Sequence, residues 1–152
     1  MSEAEHYVEG PVEGRRALFL ELEQDDWEQL VAEVRRVFLG ARDYARGRRG
    51  GRIVLVSAAA AARPIAGATL EGVAGAFLTT AAQVASIELR GQEITANVVV
   101  PALEPDRQAV DAVIGFLLSE EASGVTGAVV AADGGFSITK ASEPSPLLGG
   151  GA

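Results

Sequence analysis

The sequence predicts an α/β domain in which a parallel sheet of three or four strands is flanked by helices. Three observations carry this. The runs RIVLVS (52–57), ITANVVV (94–100) and GAVVAA (127–132) are almost continuously apolar and rich in β-branched residues. Such runs fit strands covered on both faces, since a strand with one wet face would alternate. Between them lie stretches with helical spacing of apolar residues. Strands that alternate with long helices imply a parallel sheet with right-handed crossovers.

Residues 1–15 combine acidic residues with Gly10, Pro11 and Gly14, show no periodicity, and read as an arm. RALFLEL (16–22) is a short apolar run suited to a buried strand. Asp25 with Glu28 three residues later resembles a capping box. From there Trp27, Leu30, Val31, Val34, Val37, Phe38 and Ala41 recur at helical spacing to about Tyr44. A glycine-rich turn at Gly47–Gly51 precedes the strand at 52–57, and a loop with Pro64 and Gly67 leads to a second helix over about 69–90.

The apolar face of that second helix is expected to carry Leu70, Val73, Phe77, Ala81, Val84 and Leu89, while Gly72, Gly75, Ala76, Thr79, Thr80, Ala82 and Ser86 are small. Small residues allow another helix to approach closely. A helix sandwiched within its own domain accounts for the pattern equally well. Pro101 stops the strand at 94–100. Asp106 then caps a helix to about Ser119 with Val110, Val113, Ile114, Leu117 and Leu118 inward. Asp133, Gly134 and Gly135 close the last strand. The expected organisation is an arm (1–15), one domain (16–139) and a low-complexity, disordered tail (140–152).

Composition removes several function classes. With no cysteine there is neither a disulfide framework nor a thiolate metal site. His6 is the only histidine, so a zinc site built from imidazoles cannot be assembled. A net charge of −8 argues against nucleic acid or an anionic membrane as partner. The local exception is Arg46, Arg48, Arg49 and Arg52, a candidate anion contact or a solvated loop at a helix C-terminus. The acidic amino terminus has no apolar segment of the signal-peptide kind, and no run of 18 uncharged apolar residues occurs. A cytoplasmic location is expected.

Four segments, DDWEQLVAEVRRVFLGAR, GGRIVLVS, VASIELRGQEITANVVVP and FLLSEEASGVTGAVVAADGG, together resemble the second half of a short-chain dehydrogenase/reductase. The resemblance spans about residues 25–136 and implies a partial Rossmann-like fold without the amino-terminal dinucleotide-binding βαβ units. It also implies sites to look for. The family's phosphate-binding glycine turn and its Asn-Asn-Ala-Gly motif have no counterpart: Asn97 is the only asparagine. The family's catalytic Ser, Tyr and Lys positions fall on Ala58, Glu71 and Gly75, with Ser57 beside the first. Its helix asparagine falls on Glu33 or Val34. The only tyrosines are Tyr7 and Tyr44 and the only lysine is Lys140, so no alignment register restores a Tyr-x-x-x-Lys pair. The substrate-covering segment after Pro101 is reduced to Ala102, Leu103, Glu104 and Pro105 before the next helix.

The resemblance implies that the two long helices form a bundle with those of another subunit, and that the last helix and strand make a second contact. The candidate interface residues are Val34, Phe38, Gly72, Ala76, Thr80, Gln83, Gly134, Gly135 and Phe136. The functional expectation is a non-catalytic subunit of a hetero-oligomer with a full-length short-chain reductase, or with itself. This chain is expected to bind no cofactor, with NAD(P) held by the partner. Two alternatives are a shared site to which Glu71 contributes and a ligand-binding module using the vacated crevice.

Overall fold

The computed structural model describes residues 6–138. The expected tail at 140–152 and the first residues of the arm lie outside that range. Four parallel strands form one sheet: β1 (His6–Glu9), β2 (Gly51–Val56), β3 (Ile94–Pro101) and β4 (Val129–Ala132), in spatial order β1-β2-β3-β4. The helices are α1 (Gln24–Ala45), a single turn α2 (Ala59–Ala62), α3 (Thr69–Glu88) and α4 (Arg107–Leu118). Every residue of β3 is buried, as its continuous apolar run requires.

The first strand is not where the apolar run places it. RALFLEL is extended only at its start, where Ala17 pairs singly with Ala68, and then turns through a 3-10 helix at Phe19–Glu21. Phe19 is 75% and Leu20 92% exposed. The strand is instead HYVE, inside the presumed arm. It alternates because only one of its faces is packed: Tyr7 and Glu9 turn toward α1, while His6 and Val8 are exposed. β1 therefore covers one edge of β2, and its own outer edge is unpaired among the described residues.

Two apolar layers sandwich the sheet. Ile53 and Leu55 of β2 with Ala96, Val98 and Val100 of β3 meet Leu30, Val34 and Val37 of α1 and Leu70, Ala74 and Leu78 of α3. On the other face Val54 and Val99 meet Val110 and Leu117 of α4. The sheet advances in one direction from β1 to β4 while α4 lies opposite α1 and α3. The β3–α4–β4 connection therefore has the opposite hand to the other two, so the expectation of uniformly right-handed crossovers fails at the last unit. A sheet in this order also contains no point at which strand order reverses, which is where such folds seat a dinucleotide.

Helix ends follow local chemistry. α1 begins one residue before Asp25, and the side chain that closes its first turn is Asp26, whose carboxylate accepts from the Glu23 N–H at 2.9 Å and from Arg15 at 3.0 Å. The Glu23 N–H first, and Arg15 with it, hold the Asp26 carboxyl below its ordinary range. α4 is capped as expected by Asp106, which accepts from the Ala109 N–H.

β1 is tied down by Tyr7, whose single phenolic proton is shared between a Glu9 carboxylate oxygen at 3.1 Å and the Val37 carbonyl at 3.2 Å, and whose oxygen stands where a Cβ on Gly40 would sit. Burial and then the Glu9 charge push its pKa up from 10.0 to about 12. The folded state thus keeps the proton longer than the unfolded chain. Its contribution is complete below pH about 10 and is lost as pH rises through about 12. Urea titrations across that interval should show a fall in stability that Tyr7→Phe lacks; parallel curves would show that the phenol is not buried as described.

Candidate active-site crevice and outer helical face

In open parallel sheets, ligands sit beyond the carboxyl ends of the strands. At that edge this chain is filled by its own segments. β2 runs into Ser57, which is 1% exposed and donates its N–H to the Val99 carbonyl at 2.9 Å. Ala58 then precedes α2, which lies on the first half of α3. Gly72 and Gly75 make that approach possible. A Cβ on Gly72 would lie 3.2 Å from the Ala60 carbonyl oxygen. One on Gly75 would lie 2.7 Å from the Ser57 hydroxyl, 2.8 Å from the Ala58 nitrogen and 2.9 Å from the Ala61 Cβ. The contacts at Gly75 are closer than Cβ atoms in packed interiors come, and the one at Gly72 would need Ala60 to give way slightly.

The segment between β1 and α1 closes the crevice from the other side. Val12 is buried in the core, and a Cβ on Gly14 would stand 2.6 Å from the Leu70 Cβ. Ala17 donates its N–H to the Gly67 carbonyl at 3.0 Å. Arg16 Nε donates to Glu71 Oε1 at 3.1 Å, so the Glu71 carboxylate is half-buried in an ion pair within the chain. The Thr79 hydroxyl donates to the Gly75 carbonyl at 2.8 Å and lies 3.3 Å from the Ser57 hydroxyl.

The strand β4 ends in a turn at Gly134 and Gly135, both at positive φ, which folds Phe136 back toward the loop after α2. Arg63 stacks over the Phe136 ring at 5.0 Å and donates to its carbonyl. Asp133 accepts from the Ser137 and Gly135 N–H groups, both at 2.9 Å. Hydrogen bonding from Ser137, and then from Gly135, holds its carboxyl below the ordinary range.

The arginine cluster does not converge. Arg48 lies over the Tyr44 ring at 4.3 Å, Arg49 faces Glu93 at 3.5 Å, and Arg46 is 3.9 Å from Asp43. Arg52 is buried on β2 with Glu120 at 3.2 Å. No group of three or more metal-binding side chains occurs among the described residues.

The outward face of α1 and α3 is apolar. The expected apolar face of α3 divides in the structure: Leu70 turns inward together with Ala74, Gly75, Leu78, Ala82 and Ser86, while Val73, Phe77 and Val84 are exposed. The reason is distance. Where α3 comes close to the sheet and to α2, the inward positions beside Leu70 and Leu78 are small, and Val73, Phe77 and Val84 turn outward. They join Trp27, Val31 and Phe38 of α1, and Phe38 meets Phe77 edge-on at 6.2 Å. Toward the carboxyl ends of both helices the face opens into a groove of about 960 Å³, floored by Ile53 and Leu55.

Of the candidate interface residues, Phe38, Ala76, Thr80 and Gln83 are exposed on α1 and α3. Val34 is instead 9% exposed and belongs to the core, and Gly72 faces α2. Gly134 is exposed, whereas Gly135 and Phe136 are partly covered by the chain itself. α3 alone among the described residues is long and apolar enough to cross a membrane, and its inner stripe is packed on the sheet.

Solved structures share this architecture. An acetoin dehydrogenase from Enterobacter cloacae superposes with a TM-score of 0.83 at 22% identity, covering 91% of this chain and 66% of its own. One from Salmonella typhimurium gives 0.84 at 22% identity with the same coverage. A short-chain dehydrogenase/reductase from Serratia marcescens BCRC 10948 gives 0.77 at 26% identity, covering 88% of this chain and 66% of its own. The chain has the short-chain dehydrogenase/reductase fold. It spans about two thirds of the length of these enzymes. No protein-family model and no curated protein matches its sequence.

Within the short-chain dehydrogenase/reductase fold, the positions that the resemblance assigns to Ser, Tyr and Lys are spatial neighbours here too, at the carboxyl end of β2 and the head of α3. Ala58 has no side-chain hydroxyl, Glu71 is held by Arg16, and Gly75 is closed in by Ser57, Ala58 and Ala61. The role of Gly14 and Gly75 as contact points was not visible in the sequence. The nearest signal was the unusual density of small residues in α3.

Proposed function

We propose that this chain is a non-catalytic, cytoplasmic subunit that assembles with a full-length NAD(P)-dependent short-chain reductase and stabilises or modulates it. The observation that carries this reading is the packing of Gly75 against Ser57, Ala58 and Ala61. A Cβ at that position already comes within 3 Å of Ser57, Ala58 and Ala61, so a lysine there requires the β2–α2 turn to move. The uncovered apolar face of α1 and α3, with Phe116 of α4 exposed on the opposite side of the sheet, supports assembly as what remains. NAD(P) belongs to the partner in this reading. The pairing of Glu71 with Arg16 weighs against a shared site built on that carboxylate.

Two measurements test the proposal. Calorimetry of the purified chain with oxidised and reduced nicotinamide dinucleotides should show no binding; saturable binding would overturn the non-catalytic reading. Co-expression with a full-length short-chain reductase, followed by native mass spectrometry, should give a mixed complex. Exclusively separate species would remove the partner role.

A further inference from the structure

The amino end of the sheet, opposite the closed crevice, carries an arginine whose charge the fold covers almost completely. Arg52 of β2 lies two residues before Val54, which packs under α4, so both side chains stand on the α4 face. The Arg52 side chain is 10% exposed, and its ion pair among the described residues is with Glu120 at 3.2 Å, whose own side chain is 95% exposed. A carboxylate that far into solvent compensates a buried cation poorly. The neighbouring acidic groups are engaged elsewhere: Glu93 faces Arg49 at 3.5 Å, and Glu121 is hydrogen-bonded by its own backbone N–H and by Ser119.

The register partner of Arg52 on β3 is Thr95, which shares the α4 face with Asn97 and Val99. Thr95 is 8% exposed, and its hydroxyl is buried with no hydrogen-bond partner among the described residues. Interiors rarely leave a hydroxyl in that state, because its desolvation is then uncompensated. Asn97, the next polar group along β3, is committed to Val125 and Ala128 and does not serve it. On the other side of Arg52, its register partner on β1 is His6, exposed on the same face. His6, Arg52 and Thr95 therefore form one row across neighbouring strands, which lie about 4.8 Å apart, close enough for adjacent side chains to meet on one small ion.

We infer that this row binds a phosphate ion, which takes the place of Glu120 on Arg52. The donor set selects it. A guanidinium offers parallel N–H groups to a pair of oxygens, and the Thr95 hydroxyl then donates to a further oxygen of the same ion. A carboxylate has no further oxygen to give; accordingly Glu120 reaches Arg52 while Thr95 stays unpaired. With Arg52 and Thr95 each 8% exposed, the space suits the free ion rather than an ester carrying a larger group. The site lies at the opposite end of the strands from the crevice and is independent of the assembly role.

The test is calorimetric titration of the purified full chain with inorganic phosphate, at an ionic strength held constant with chloride. The wild type should bind phosphate saturably. Thr95→Val removes a hydroxyl that has no partner in the folded chain, so the variant should fold, and it should weaken phosphate by about tenfold, the worth of a hydrogen bond to a charged group. Glu120→Gln should bind phosphate about threefold more tightly, because the competing carboxylate, an exposed ion-pair partner, is gone. Acetate and glycerol phosphate should both bind more weakly than phosphate. No saturable binding by the wild type, or a Thr95→Val variant that binds as the wild type does, overturns the inference. Acetate as tight as phosphate overturns the choice of phosphate, and glycerol phosphate as tight overturns the assignment to the free ion.

Discussion

Alanine at Gly75 is expected to destabilise the domain by about 1–3 kcal/mol, the range for inserting a methyl group into a filled interior. The added carbon would lie under 3 Å from the Ser57 hydroxyl, the Ala58 nitrogen and the Ala61 Cβ. Two of these belong to the turn that joins β2 to α2, and Ser57 is itself anchored through its N–H to Val99. Relief therefore requires moving backbone, and α2 should lift from α3. A lysine at the same position has a longer chain to house and should abolish soluble folding. The double variant Glu71→Tyr/Gly75→Lys, which writes the family's catalytic pair back into the sequence, should consequently give no reductase activity.

Thermal and urea denaturation check these expectations, with Ala76→Lys as the control: Ala76 neighbours Gly75 in sequence but is exposed, so its variant should fold. If Gly75→Ala proved as stable as the wild type, α2 would not sit where the structure puts it. The crevice would then be open beside Gly75.

Asn97→Ala should cost about 2–4 kcal/mol. Asn97 is fully buried in β3, where its amide donates to the Val125 carbonyl at 2.8 Å and its carbonyl oxygen accepts from the Ala128 N–H at 3.0 Å. Truncation leaves both backbone groups without a partner, and each buried orphan costs about 1–3 kcal/mol. The damage should be local first. These bonds hold the loop that feeds β4, so hydrogen exchange at Ala128 and through Val129–Ala132 should accelerate more than at Ile53 or Val98 in the core. Uniform acceleration would mean that Asn97 acts through global stability alone.

Legibility from sequence tracked the number of constraints on each segment. β2, β3 and α4 were readable because burial on both faces, or an apolar stripe behind an Asp106 cap, leaves one periodicity that fits. β1 was not, because an edge strand of four residues packed on one face needs only two inward side chains, Tyr7 and Glu9, and one of these is charged. The apolar run RALFLEL outscored it by composition, yet two of its large residues face solvent. The orientation of α3 differs for a related reason: hydrophobicity marks Val73, Phe77 and Val84 as core, whereas the inner stripe pairs Leu70 and Leu78 with Ala74, Gly75 and Ala82, small where the sheet and α2 come close.

At the candidate site, absence was decided by the sequence and closure by the fold. A chain with two tyrosines, neither followed by a lysine four residues on, cannot place that pair in any register, and composition alone establishes this. Composition likewise leaves no cysteine and a single histidine, too few for a zinc site of the usual kind. That the empty positions are sealed, by α2 on one side and by the Gly14–Ala17 segment on the other, is a matter of contacts between residues far apart in the chain. So are the pairing of Arg16 with Glu71 and the outward turn of Val73 and Phe77. Residue types limit which chemistry is available. Only the packed distances between segments show which space that chemistry would have occupied.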